Sequence, residues 1–318
     1  MTLSIHWRLD PAAEPQRSEP AAQAQLPDWV RDRRVPTQNR FDYYLQVADA
    51  AAQAAFDGLF IRHRLEADES RIIAAIVARA VRGLKVVPEF PASVGSAVYA
   101  AKQATTFQRS TGARLGWAIT PDGDAQTRAR EADTVAAEEL TQRLDEFLTV
   151  ARGVHEQRPF SFKGGHFEVL NGGFDAPLNR VSFPTVYLQG EDEAALRLSA
   201  RHADVHLFAP APTEQLAERI ALLGTLAAAE GREVAAGLIQ PLLVREDGGS
   251  AQRDAIGLPD GTLIGSYDDA AAALAERHAA GISHLLLEAT PTLEETYRVG
   301  QHLLPRLRAL TGAARLAA

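Results

Sequence analysis

The sequence predicts a (β/α)8 barrel. Short runs rich in β-branched and aromatic residues alternate with helical patterns along the whole chain, in about the number of units an eightfold barrel requires. No long linker divides the chain, so residues 1–318 are read as a single domain. The stretch Pro184–Ala200 has the form of one parallel-sheet unit. Thr185, Val186, Tyr187 and Leu188 make a strand, Gln189 and Gly190 a tight turn, and a helix opens with Glu191, Asp192 and Glu193. A doubly wound open sheet is the alternative use of the same units.

In chain order, Leu3–Leu9 reads as the first strand and Asp10–Thr37 as a long loop rich in Pro, Ala, Gln and Glu. Phe41–Phe56 is helical and stops at Asp57-Gly58. Leu59–Ile61 is a short buried strand, Asp68–Val81 a helix starting near Ser70, and Gly83–Phe90 a strand ended by Pro91. Ser96–Ser110 is a helix, and Ala113–Thr120 a strand closed by the turn Pro121-Asp122-Gly123. Ala125–Val154 reads as one long amphipathic helical region with i,i+4 charge pairs. Phe160–Val169 reads as a hairpin around Gly164-Gly165. Val205–Phe208 is a strand, Thr213–Glu230 a helix with Thr213 as N-cap, and Ala235–Val244 a strand. Asp247–Thr262 is a polar loop, Ser266–Ala280 a helix followed by Gly281, Ser283–Glu288 a strand and Thr292–Leu310 the last helix.

Composition narrows the function. The net charge of −8 and the scattered Lys and Arg argue against a nucleic-acid partner. No apolar run is long enough for a membrane helix, and no signal peptide is visible. The absence of cysteine excludes disulfides, thiolate metal sites and cysteine nucleophiles, and fits a cytoplasmic protein. No G-x-G-x-x-G fingerprint and no G-x-S-x-G elbow is present, and His155, His202, His278, His284 and His302 show no metal-ligand spacing to Asp or Glu.

Polar residues at the C-terminal ends of barrel strands are site candidates. Here they are Arg8, Arg62, His63, Glu89, Gln240 and Glu288. A histidine beside acids suits general base chemistry near neutral pH; the alternative is a structural ion-pair network closing the mouth. The turn before Glu193 raises a second question. A helix N-terminus after a strand suits a phosphate, yet Glu191 and Asp192 stand there and complement the same dipole. A phosphate placed beside them would meet repulsion of a few kcal/mol. Either no phosphate binds there, or a cation mediates.

Five stretches taken together resemble the bacterial-luciferase-like flavin monooxygenases, alkanesulfonate monooxygenase branch. They are Phe41–Ile61, Ala100–Leu115, Phe162–Phe167, Pro184–Ala200 and Pro291–Gly300, in the family's order and spacing. The resemblance implies a barrel that binds reduced FMN at the C-terminal ends of its strands and uses oxygen on a small organic substrate. It also implies a separate reductase supplying FMNH2, and dimers or tetramers.

Positions matching the family's FMN site are Gly190, Glu191, Asp192, Trp117 (or Ala118), Thr120 and Thr141. They depart from its pattern. The glycine-serine phosphate turn is Gln189–Asp192, and Leu140 and Thr141 replace the Arg and Tyr that help hold the flavin. Weak or no flavin binding is therefore expected, in a degenerate or partner subunit. An active FMNH2-dependent two-component monooxygenase acting on a sulfonate-like substrate is the alternative, and a barrel binding another small molecule the third reading. A homodimer, or a heterodimer with a related subunit, is expected through the early helices, with Tyr43, Tyr44, Tyr99 and Phe107 as anchors.

Overall fold

The computed structural model describes residues 2–12, 40–120 and 123–312. Most of the expected loop Asp10–Thr37, and Pro121 and Asp122 of the expected turn, lie outside them. Eight parallel strands close into a barrel: β1 (Ser4–Leu9), β2 (Gly58–Ile61), β3 (Lys85–Phe90), β4 (Gly116–Ile119), then β7 (Thr185–Gln189), β8 (Val205–Phe208), β9 (Ala235–Arg245) and β11 (Ile282–Glu288). β8 pairs with β9 and β11 with β1, which leaves no open edge in the ring. The closed ring rules out the open-sheet alternative. A hairpin of β5 (Phe160–Lys163) and β6 (Glu168–Gly172) stands apart from it.

Side chains alternate between the barrel interior and the helix layer, as the period of two requires. Phe60, Val87, Ala118, Tyr187, Val205, Leu207 and Leu286 fill the interior. Trp7, Leu59, Val86, Leu238 and Leu285 face outward into the larger core beneath the helices. Both faces are apolar, so the strands read as continuous hydrophobic runs, the signature of a buried parallel sheet.

The helices start where the sequence offers a cap. Ser96 accepts the Tyr99 N–H before α3 (Ala97–Thr111), and the left-handed Gly112 ends it. Ser266 and Asp269 form a capping box at α9 (Tyr267–Ala279). The other helices up to that point are α1 (Arg40–Gln53), α2 (Ser70–Ala80), α4 (Ala125–Arg130), α5 (Leu140–Glu156), α6 (Glu193–His202), α7 (Thr213–Ala229) and α8 (Gly248–Asp254).

Four expectations are corrected. The region Ala125–Val154 is not one helix. α4 stops at Arg130, Ala132 adopts φ 57°, and α5 begins at Leu140. The break is held by Asp133, which accepts from Val135 N at 3.2 Å and pairs with Arg143 at 2.7 Å, both carboxylate and guanidinium nearly free of solvent. Thr213 is the first residue of α7, not its cap. Asp247–Thr262 is not wholly loop: the Asp247 carboxylate accepts the Ser250 N–H at 2.8 Å and starts α8. The last helix is α10 (Thr292–Arg298) and α11 (Leu304–Thr311), joined by a π-helical turn at Val299–Leu303 where Gly300 packs on Ala54. A short strand β10 (Leu263–Ser266) extends the sheet along the far end of β9.

Candidate functional site

The C-terminal ends of the strands surround a chamber of about 540 Å3. Arg8 on β1 faces inward because its neighbours Trp7 and Leu9 face the helix layer. Its guanidinium lies 2.6 Å from Glu89 on β3 and 3.3 Å from Glu288 on β11. Arg62, just past β2, is 3.4 Å from Asp10 and 3.7 Å from Glu288. Arg64 pairs with Asp10. His63 Nε2 is 2.9 Å from Glu131. Five of the six mouth candidates thus meet here, and Arg8, Arg62 and Arg64 join Asp10, Glu89 and Glu288 in one ion-pair network.

Burial opposes the charge on Arg8, but Glu89 and Glu288 outweigh it and hold the guanidinium above its ordinary range. Arg62 is pulled the other way, first by burial and then by the like charge of Arg8. Asp10 loses solvent too, yet hydrogen bonds from Arg64 and Ala12 N keep it below the usual carboxylate range.

Gln240 is the sixth candidate, and it does not reach the chamber. It is buried outside the barrel wall, where its amide donates to Pro241 O at 2.9 Å and Gly261 O at 2.8 Å and accepts from Arg277 at 2.6 Å. It brackets the loop that follows α8. Its strand neighbours Ile239 and Pro241 line the chamber instead.

The positions matched to a flavin site divide similarly. Thr120 lines the chamber. Trp117 packs against Phe90 and Phe183 in the helix layer, so Ala118 is the inward residue of β4. Thr141 is exposed near the start of α5 and does not line the chamber. At the β7 turn, Gly190 has φ 145° and touches Ala195, a place no Cβ can occupy. Asp192 caps α6, accepting the Ala195 N–H at 2.8 Å. Glu191 pairs with Arg219 of α7 and accepts from Ala209 N at 3.2 Å. A cation does stand beside the acids.

Sequence reasoning missed Asp10, Arg64, Gln189, Glu131 and Asp260 in the mouth. Asp10 and Gln189 close barrel strands and were findable by the rule that found Arg8. Glu131 was hidden by the unrecognised break after α4. Below the mouth, His6 and His284 face each other inside the barrel, Nε2 to Nδ1 at 3.3 Å, with stacked rings. Both are held below the ordinary imidazole range by burial, helped by Lys85. Among the described residues, no group of three or more His, Asp or Glu is arranged to hold a metal ion.

In closed parallel barrels the C-terminal mouth, where this polar cluster stands, is the face on which ligand sites are built. Residues 25–299 match the luciferase-like monooxygenase family, and the chain belongs to it. Solved structures with this fold include riboflavin lyase with modified FMN and its substrate riboflavin (16% identity, 99% of this chain and 93% of that one, TM-score 0.80). EDTA monooxygenase from Chelativorans sp. BNC1 is similar over 100% of this chain and 96% of its own (14% identity, TM-score 0.80). The coenzyme F420-dependent tetrahydromethanopterin reductase from Methanopyrus kandleri follows at 12% identity, 96% and 100% coverage and TM-score 0.74. Among the described residues, no helix is long and apolar enough to cross a membrane.

Proposed function

We propose that this chain is a luciferase-like barrel that has given up tight flavin binding, a degenerate or partner subunit whose mouth is a charged small-molecule site. The observation that carries this is Arg8, buried at the top of the barrel interior and bound to Glu89 and Glu288 from two other strands. The β7 turn supports it. The N–H of Ala195 that a phosphate would use is taken by Asp192, and a second carboxylate, Glu191, stands beside it. These residues do not fit a tightly held FMN phosphate. Visible absorption of the purified protein titrated with FMN tests the reading. The expected result is no spectral change at low micromolar flavin; stoichiometric yellow flavin on the isolated protein, or low-micromolar FMNH2 binding, overturns it.

Two observations favour a second reading, an active FMNH2-dependent monooxygenase served by a flavin reductase. The chamber has room for a small organic substrate beside the His63–Glu131 pair, and Arg219 offsets the charge of Glu191. Assembly as a homodimer or heterodimer belongs to the same proposal. Of the expected anchors, Tyr44 is buried and donates to Asp68 at 2.9 Å, while Tyr99 is exposed and Phe107 half-buried along an apolar groove between α2 and α3. Light scattering at micromolar concentration tests it, a dimeric mass being expected.

A further inference from the structure

One wall of the chamber is built by α4 and its two ends. Gly123, Thr127 and Glu131, four residues apart in the chain, all line it. On a helix that spacing keeps residues on one face. Ala125, Gln126 and Ala129 are exposed instead.

This wall is seated differently from the rest of the helix layer. α2 buries Ile73 and Val77, and α5 buries Phe147, Leu148 and Val150. From Gly123 to Ala132 the only apolar side chains are those of Ala125, Ala129 and Ala132, and no residue of α4 is buried. Seating it therefore removes little apolar area from water. The segment bonds to itself instead. The Asp124 carboxylate accepts the Thr127 N–H at 2.8 Å, Arg128 donates to Gly123 O at 2.9 Å, and the Asp133 N–H donates to Arg128 O at 2.9 Å.

Among the described residues, two polar side-chain contacts tie Gly123–Ala132 to the barrel: Glu131 to His63 at 2.9 Å, and Arg130 to Glu66. Both partners stand on the loop between β2 and α2. Neutral His63, as its Nε2–H tautomer, can already donate to Glu131. The Arg130–Glu66 pair is more than half exposed on both sides, and such pairs contribute little. The C-terminal end of the segment is anchored firmly. Ala132 turns the chain with φ 57°, and Asp133 pairs with Arg143 at 2.7 Å, with 3% and 6% of the two side chains exposed.

We infer that Gly123–Ala132 is a flap over the mouth, hinged at Ala132–Asp133 and latched to the β2–α2 loop by Glu131 and Arg130. A self-bonded unit with a buried anchor at one end and weak latches moves as a body, because opening breaks the latches and leaves its internal bonds whole. Opening bares the chamber on that side to an incoming small molecule. Closing brings Glu131 to His63, so the acid that orients this histidine is in place only with the flap down. The inference rests on the mouth being a ligand site, and its test uses neither flavin nor substrate, so its failure is separable from that of the flavin reading.

The chain has no cysteine, so a single introduced thiol reports on either face of the flap. Thr127→Cys places it on the chamber side and Gln126→Cys on the exposed side. With pyrene maleimide, Thr127→Cys is expected to react at least about tenfold more slowly than Gln126→Cys, since only the open fraction reacts. Adding Glu131→Ala and Glu66→Ala removes both latches. It should speed labelling of Thr127→Cys about fivefold and leave that of Gln126→Cys unchanged. Hydrogen exchange of the α5 amides should stay as slow as before, which separates a moving flap from a loosened fold. Equal rates for the two thiols without the latch substitutions overturn the inference. So does a Thr127→Cys rate that those substitutions leave unchanged, or that rises only together with exchange in α5.

Discussion

The guanidinium of Arg8 lies 2.6 Å from the carboxylate of Glu89, with 6% and 4% of the two side chains exposed. Arg8 is on β1 and Glu89 on β3; on β2 between them Phe60 stands opposite Arg8, and Glu89 lies one layer above it. Breaking such a pair costs more than the pair is worth, because the survivor keeps a buried charge. Arg8→Met should destabilise the fold by about 3–5 kcal/mol, whereas Arg8→Met with Glu89→Met should recover most of that. Urea unfolding of both variants measures it. A double variant as unstable as the single one would show that the charge imbalance is not the cause.

Glu191 engages Arg219 through both its carboxylate and its backbone carbonyl. Glu191→Ser removes the carboxylate that neutralises the guanidinium while keeping the carbonyl contact, and should raise FMN affinity about tenfold, the value of one charge-assisted hydrogen bond. Adding Arg219→Met should abolish the gain. Asp192 is best left in place, since it caps α6. Fluorescence quenching of FMN reads all three proteins.

Gln240 satisfies Gly261 O, Pro241 O and Arg277 at once. Gln240→Leu keeps the volume and strands those partners, at a cost of about 1–3 kcal/mol. The loss should be local: hydrogen exchange should speed up over residues 255–262 while the amides of β9 stay protected.

His206 and His284 are pushed down to about 4 by burial, from an ordinary value of 6.5. His206 is fully buried and shares a hydrogen bond with Ser199 at 2.7 Å. The unfolded chain then binds more protons than the native one between those two values, so stability rises with pH across that window and falls as pH drops through it. The loss should be on the order of 2–3 kcal/mol for each histidine. Denaturant midpoints taken from pH 7 to pH 4 check it. His206→Asn, which cannot titrate there, should flatten the curve, and an unchanged slope in that variant would count against the assignment.

The barrel was legible because its cause is local. Alternating strand and helix patterns, the caps at Ser96 and Ser266, and the glycines after α3 and α9 act over a few residues each. Five mouth residues were legible because they stand at or just past the C-terminal ends of barrel strands. The split of Ala125–Val154 was not, since a contact from Arg143 of α5 back to Asp133 holds it.

The sequence by itself determined that a parallel barrel forms and that charged residues gather at one end of it. It left open which way a residue on a fully buried strand points, because both faces of such a strand are apolar and period two leaves no mark. Tertiary structure decided that Trp117 and Gln240 turn outward while Ala118 and Ile239 turn inward. It also decided that Glu191 meets Arg219, and that Arg8 meets Glu89 and Glu288. Such pairings join residues far apart in the chain, and only closure of the ring brings their charges within reach.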